Sequence, residues 1–135
     1  MKHKVTLTVT SLLAILLFAS HWADEVARGM EPGGLSGLGG VLILVVWLYG
    51  TLVLAERRSG HIIMLLGSIL GLGVLVLHMR GAGLVSSRIA NSGRVFFWVG
   101  TLIALGVTST FSGILLAHEL WSLQRGQSRR SVSSP

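Results

Sequence analysis

His21, Asp24, Glu25 and Arg28 stand at positions i, i+3, i+4 and i+7, a spacing that brings all four onto one face of a helix. Trp22, Ala23 and Val26 point elsewhere. The cluster closes an apolar run, so its ionisable groups lie at the edge of a hydrophobic segment, where such groups are functional candidates. Two kinds of chemistry fit. Asp24 with Arg28 and His21 with Glu25 are i, i+4 pairs, so the stripe can satisfy itself as a salt-bridged helix end. Alternatively, His21 and Asp24, joined by His78 at the end of another apolar run, are ligands for Zn, Mn or Fe, with Glu25 beside them. The carboxylates can instead orient the histidines from behind. The self-satisfied stripe is the first expectation and implies no cofactor; a divalent metal, or a haem ligated by His21 and His78, are the alternatives. A second haem would need His61 and His118. On one helix, His61 and His78 would lie ~25 Å apart, placing two haems at opposite interfaces.

These residues sit in a chain that is 51% hydrophobic and 12% charged, with a mean hydropathy of +0.74. That is too apolar for an ordinary soluble domain. The apolar residues gather into runs, as in membrane-spanning helices that satisfy their own backbone hydrogen bonds in lipid. The net charge of +6 falls at helix ends and tails, which points to topology and not to nucleic acid. With no cysteine, disulfides and thiolate chemistry are excluded.

The expected fold is all-α: a four-helix membrane bundle over residues 1–123, with helices at about 5–27, 36–56, 61–79 and 94–121. A disordered basic tail is expected over 124–135. Lys2, His3 and Lys4 before Val5–Ser20 resemble the front of a secretory signal, but the polar stripe continues the helix past the candidate cleavage points, so an uncleaved first helix is preferred. Glu31-Pro32-Gly33-Gly34 is turn chemistry, and Ser59-Gly60 makes a tight turn between the second and third helices. The longest polar connection runs from Gly81 to Arg94.

Lys and Arg are retained on the cytoplasmic side during insertion. Lys2, Lys4, Arg57, Arg58, Arg125, Arg129 and Arg130 against Glu56 and Glu119 give one side +5; Arg28, Arg80, Arg88 and Arg94 against Asp24, Glu25 and Glu31 give the other +1, together the chain's +6. Both termini are expected inside, with His21 and His78 at the outer face. Shifting the chain by 57 residues lays Ser11 on Ser68 and His21 on His78, an echo compatible with a duplicated hairpin.

Helices in lipid associate where small residues let backbones approach. Gly67 and Gly71, with Ser68 and Gly73, offer such a surface on the third helix; Gly100 with Ala104, and Ser109 with Gly113, offer it on the fourth. These serve packing within the chain or a homo-oligomer. Thr108, Ser109, Thr110 and Ser112 are expected to bond back to carbonyls one turn earlier. Trp47 and Tyr49 are expected to pack against the third helix's glycines.

No catalytic constellation is present, so the expected role is non-enzymatic: an accessory, scaffolding or small-ligand-binding protein of a bacterial-type plasma membrane, whose partners are the bilayer and a homo-oligomer or larger membrane complex. The competing readings are a metal or haem redox protein using His21 and His78, and a subunit of a small oligomeric transporter.

Overall fold

A computed structural model describes residues 2–29, 37–80 and 95–132. The turn at Glu31–Gly34 and the connection 81–94 lie outside the described residues. Four helices and no strands are found among those described: α1 Lys2–Ala27, α2 Leu38–Leu52, α3 Arg58–Arg80 and α4 Val95–Val132. Three of them, α1, α3 and α4, are long and apolar enough to cross a membrane; α2, at 15 residues, is short.

The helix ends follow from local chemistry. α1 stops where Gly29 adopts a left-handed φ of +67°, and its N–H bonds the Val26 carbonyl at 3.0 Å, the glycine-specific way of satisfying a helix's last carbonyls. α2 ends four residues before the expected 56, at Leu52, because the chain turns at 53–57 and not at Ser59-Gly60, both of which belong to α3. Gly60 permits this: a Cβ there would collide with the Leu54 carbonyl, so only glycine lets α3 begin directly against the turn. α4 continues as helix to Val132, a departure from the disordered tail expected from Gln124 onward. Its sequence holds no proline between Val95 and Val132, so nothing breaks the hydrogen-bond ladder once the span has nucleated it. Trp121 is exposed there, with the Arg125 guanidinium carbon 4.4 Å from its ring centre.

α4 packs against both α3 and α1, while α2 lies against α3 and α1. α1 and α3 run in the same direction. At one end Lys4 reaches Glu56 at 3.1 Å; at the other His78 meets Glu25. Ser11 with Ser68, and His21 with His78, are all drawn into the interior except the more exposed His78.

The small residues act unequally. A Cβ on Gly67 would enter the Trp47 indole, and one on Gly71 would meet Ser109 and Leu105. Trp47 is buried accordingly, with its N–H donating to Ser11 Oγ at 3.0 Å, while Ser11 shares a 2.8 Å bond with Thr51. Tyr49, expected beside it, is instead exposed, since two residues on along a helix is a rotation of roughly 200°. Gly100 also departs from its expected packing role: it is exposed, with open space where a Cβ would be. The close approach falls at Gly106, against Leu75, while Gly113 makes ordinary contact with Ser68. Thr110 bonds back to the Gly106 carbonyl at 2.8 Å, but Ser109 and Ser112 are buried with no hydrogen-bond partner among the described residues.

Candidate functional site

The four-residue stripe on α1 faces the bundle. His21, Asp24 and Glu25 are buried, and Arg28 is largely covered beside them. Within the stripe the two carboxylates part company. Asp24 accepts a 2.6 Å charge-assisted hydrogen bond from Arg28 Nε, as the i, i+4 spacing predicts. Glu25, one residue on, turns to α3, where its Oε1 lies 2.7 Å from His78 Nε2. The same oxygen is 3.6 Å from His21 Nε2. Three potential ligand atoms, one each from His21, Glu25 and His78, lie within 4.8 Å of one another, the only such group among the described residues.

The other ring nitrogens decide what those atoms can do. His78 Nδ1 lies 2.8 Å from the Val74 carbonyl, an acceptor only, so Nδ1 carries a hydrogen and donates it. Thr101 has one hydroxyl hydrogen, directed at the carbonyls of Phe97 and Trp98 on its own helix, at 2.9 and 3.0 Å. Its oxygen is left to accept from His21 Nδ1 at 3.2 Å. Both imidazoles thus hold their proton on Nδ1 when neutral and turn an Nε2 lone pair towards Glu25. His21 Nε2 is buried without a hydrogen-bond partner among the described residues, and His78 Nε2 faces a carboxylate oxygen. Two lone pairs and a carboxylate oxygen converging in a covered place require a proton, shared between His78 and Glu25, or a cation. Pinning Nδ1 to a carbonyl or hydroxyl while Nε2 is presented is the arrangement that fixes tautomer and ring orientation in histidine metal ligands.

Trp98 closes the site from α4. Its ring centre is 5.1 Å from that of His21 and 5.2 Å from that of His78, and the two imidazoles are 5.2 Å from each other, nearly perpendicular at 82°. Trp98 is buried, and its N–H has no acceptor among the described residues. This crowding does not fit the haem expectation for His21 and His78. A bis-histidine haem requires a broad slot between two Nε2 atoms that each approach one iron, whereas here Glu25 sits against both and Trp98 packs on both rings. His61 Nδ1 is tied to the Arg57 carbonyl at 2.9 Å, and His118 shares a shallow crevice with Trp121, Ser122 and Arg125.

His21 and His78 were legible as a pair in the sequence, from their matching place at the ends of apolar runs. Asp24 and Glu25 were both candidates beside the histidines; Asp24 is paired with Arg28, and Glu25 is the one that approaches His78. Thr101 and Trp98 carried no sequence signal, because a threonine or tryptophan inside an apolar run looks like any other core or interfacial residue.

Comparison of the chain with protein-family models, with curated proteins and with solved structures finds no match. The reading of the site therefore stands on its own geometry.

Below the site lies an apolar layer. Leu102 and Trp98 pack with Val74 and Leu75, and Ala14, Ile15, Trp47 and Leu105 pack with Phe18 and Val74. Ser109 follows Thr101 by about two turns, ~12 Å. The buried hydroxyls of Ser11, Thr51, Ser68, Ser109 and Ser112 are thus in a separate polar level, with leucines between.

Proposed function

We propose that this chain is a small polytopic membrane protein that binds a divalent transition-metal ion at the outer face of a plasma membrane, through His21 Nε2, His78 Nε2 and a Glu25 carboxylate oxygen. The observation that carries the reading is the double pinning of Nδ1, on Thr101 and on Val74, which leaves both Nε2 atoms directed at one carboxylate. Two imidazole nitrogens and a carboxylate oxygen suit Zn, Fe or Mn better than Mg or Ca, which favour all-oxygen sets. Bonds of ~2.0–2.2 Å to one tetrahedral ion separate the ligand atoms by roughly 3.3 Å. The 2.7 and 3.6 Å separations of Glu25 Oε1 from the two Nε2 atoms bracket that value, and all three atoms lie within 4.8 Å of one another, so side-chain shifts on the order of an ångström would admit the ion.

All four helices cross the bilayer in this reading, with both termini cytoplasmic. The role is binding, not passage: the leucine layer between the site and the deeper hydroxyls supports a seat open to one side over a transport path. The protein serves as an accessory that holds or presents the ion.

Equilibrium dialysis of the detergent-purified protein with Zn²⁺, followed by metal analysis and thermal unfolding, tests this. One ion per chain is expected, with the melting temperature raised; at 100-fold saturation the stabilisation is about 2.7 kcal/mol. His21→Ala and His78→Ala should each remove both effects, and the double variant should lose little more than either alone. If the protein takes up no ion and melts identically with zinc or chelator, the metal reading fails and the His78–Glu25 pair is a proton-bridged structural contact.

A further inference from the structure

Resting on the metal reading above, we infer that an ion held by His21, Glu25 and His78 keeps a coordination position open to an exchangeable small anion or water, and that the Trp98 indole N–H holds that ligand.

The chain has no cysteine and only ten histidines and acids, five of each class. His3, Glu56, His61, His118 and Glu119 belong to the opposite end of the bundle or its connections, leaving His21, Asp24, Glu25, Glu31 and His78. Asp24 is held by Arg28 at 2.6 Å. Residues 81–94, which follow α3 directly, contain no histidine, acid or cysteine. The chain can therefore add to the three converging residues only through Glu31, or through bidentate binding by Glu25. Three protein ligands with a vacancy is the composition of zinc sites that bind water or substrate, whereas closed structural sites recruit four.

A second observation points to what fills the vacancy. Trp98 packs on both imidazoles, is 1% exposed, and carries an N–H with no acceptor among the described residues. A buried donor without a partner is costly and unusual. An anionic or oxygen ligand on the ion gives that donor its acceptor. The approach is from His78, whose side chain is 23% exposed against 2% for His21. The ligand must be small, since Trp98, Leu102 and Val74 wall the inner side.

Cobalt(II) is the probe, because its visible bands report coordination number in a zinc-type site. Full-length protein loaded with Co²⁺ should show visible bands that shift saturably on titration with sodium azide. Glu31→Gln should behave as wild type. Trp98→Phe, which keeps a ring against both imidazoles, should, once saturated with Co²⁺, bind azide at least about fivefold more weakly than wild type. If wild type takes up no Co²⁺, the metal reading itself falls. If Co²⁺ binds with bands insensitive to azide, the open position is refuted while the metal reading survives. Azide sensitivity that appears only in Glu31→Gln would assign the fourth position to Glu31 and overturn the inference. Equal azide affinity in wild type and Trp98→Phe would remove Trp98's role.

Discussion

Adjacent carboxylates on one helix turn take opposite assignments here, and the partner decides which. Asp24 has Arg28 one turn ahead on its own helix and is neutralised there; Glu25, rotated by about 100° and one methylene longer, reaches across to α3 and His78. Glu25→Gln should therefore weaken zinc binding at least ~10-fold, the lower range seen even for groups that only orient a ligand, while Asp24→Asn should leave uptake intact. Asp24→Asn should instead lower stability by about 2 kcal/mol, the loss of a hydrogen bond between charged groups, and should be non-additive with Arg28→Ala in a double-mutant cycle. Dialysis and denaturant melts of the same samples read both quantities. Loss of zinc in Asp24→Asn with retention in Glu25→Gln would exchange their roles and reject the site as drawn.

Packing between helices explains both what the sequence revealed and what it concealed. The small-residue motif on α3 was legible: Gly67 and Gly71 are one turn apart and each accepts a bulky neighbour, Trp47 and the Ser109–Leu105 pair. Choosing the matching glycine on α4 was not possible from spacing alone, because Gly100 and Gly106 both sit in apolar sequence and only the rotation of α4 decides that Gly106 meets Leu75 while Gly100 faces outward. The same limit applies to Tyr49, whose exposure depends on α2's rotation, and to the turn at 53–57, set by the Leu54 carbonyl closing on Gly60. The site followed this pattern too: its histidines were marked by their positions at run ends, whereas Thr101 and Trp98 became part of it only through the docking of α4. Gly67→Leu and Gly71→Leu should each destabilise the protein by about 1–3 kcal/mol through overpacking. Gly100→Leu should change stability by no more than about 0.5 kcal/mol. Thermal or denaturant unfolding in one detergent compares the three, and equal loss at Gly100 would show that α4 is rotated from the orientation described.

At the scale of the whole molecule the decisive question is whether the short helix α2 completes a crossing, since the side on which the proposed metal seat would open depends on it. Two contacts bear on this. Gly40, near the start of α2, lies against the Trp22 ring, and Glu56, just past its end, reaches Lys4. The part of α1 between Trp22 and Lys4 rises ~27 Å, close to the ~30 Å hydrocarbon core of a bilayer. α2 with the 53–57 turn thus runs back along α1 from the level of Trp22 to that of Lys4. The chain has no cysteine, so single cysteines at Ser59 and Ser87 give an unambiguous reading with a membrane-impermeant maleimide on intact cells. Ser87→Cys should label directly, and Ser59→Cys only after the membrane is permeabilised, in keeping with the excess of Lys and Arg at the Lys4–Arg58 end. Labelling of both cysteines from outside would mean that α2 turns back without crossing. Exclusive labelling of Ser59→Cys would invert the bundle and put His21, Glu25 and His78 at the cytoplasmic face, where the ion they meet is drawn from the cell's own metal pool and not from its surroundings.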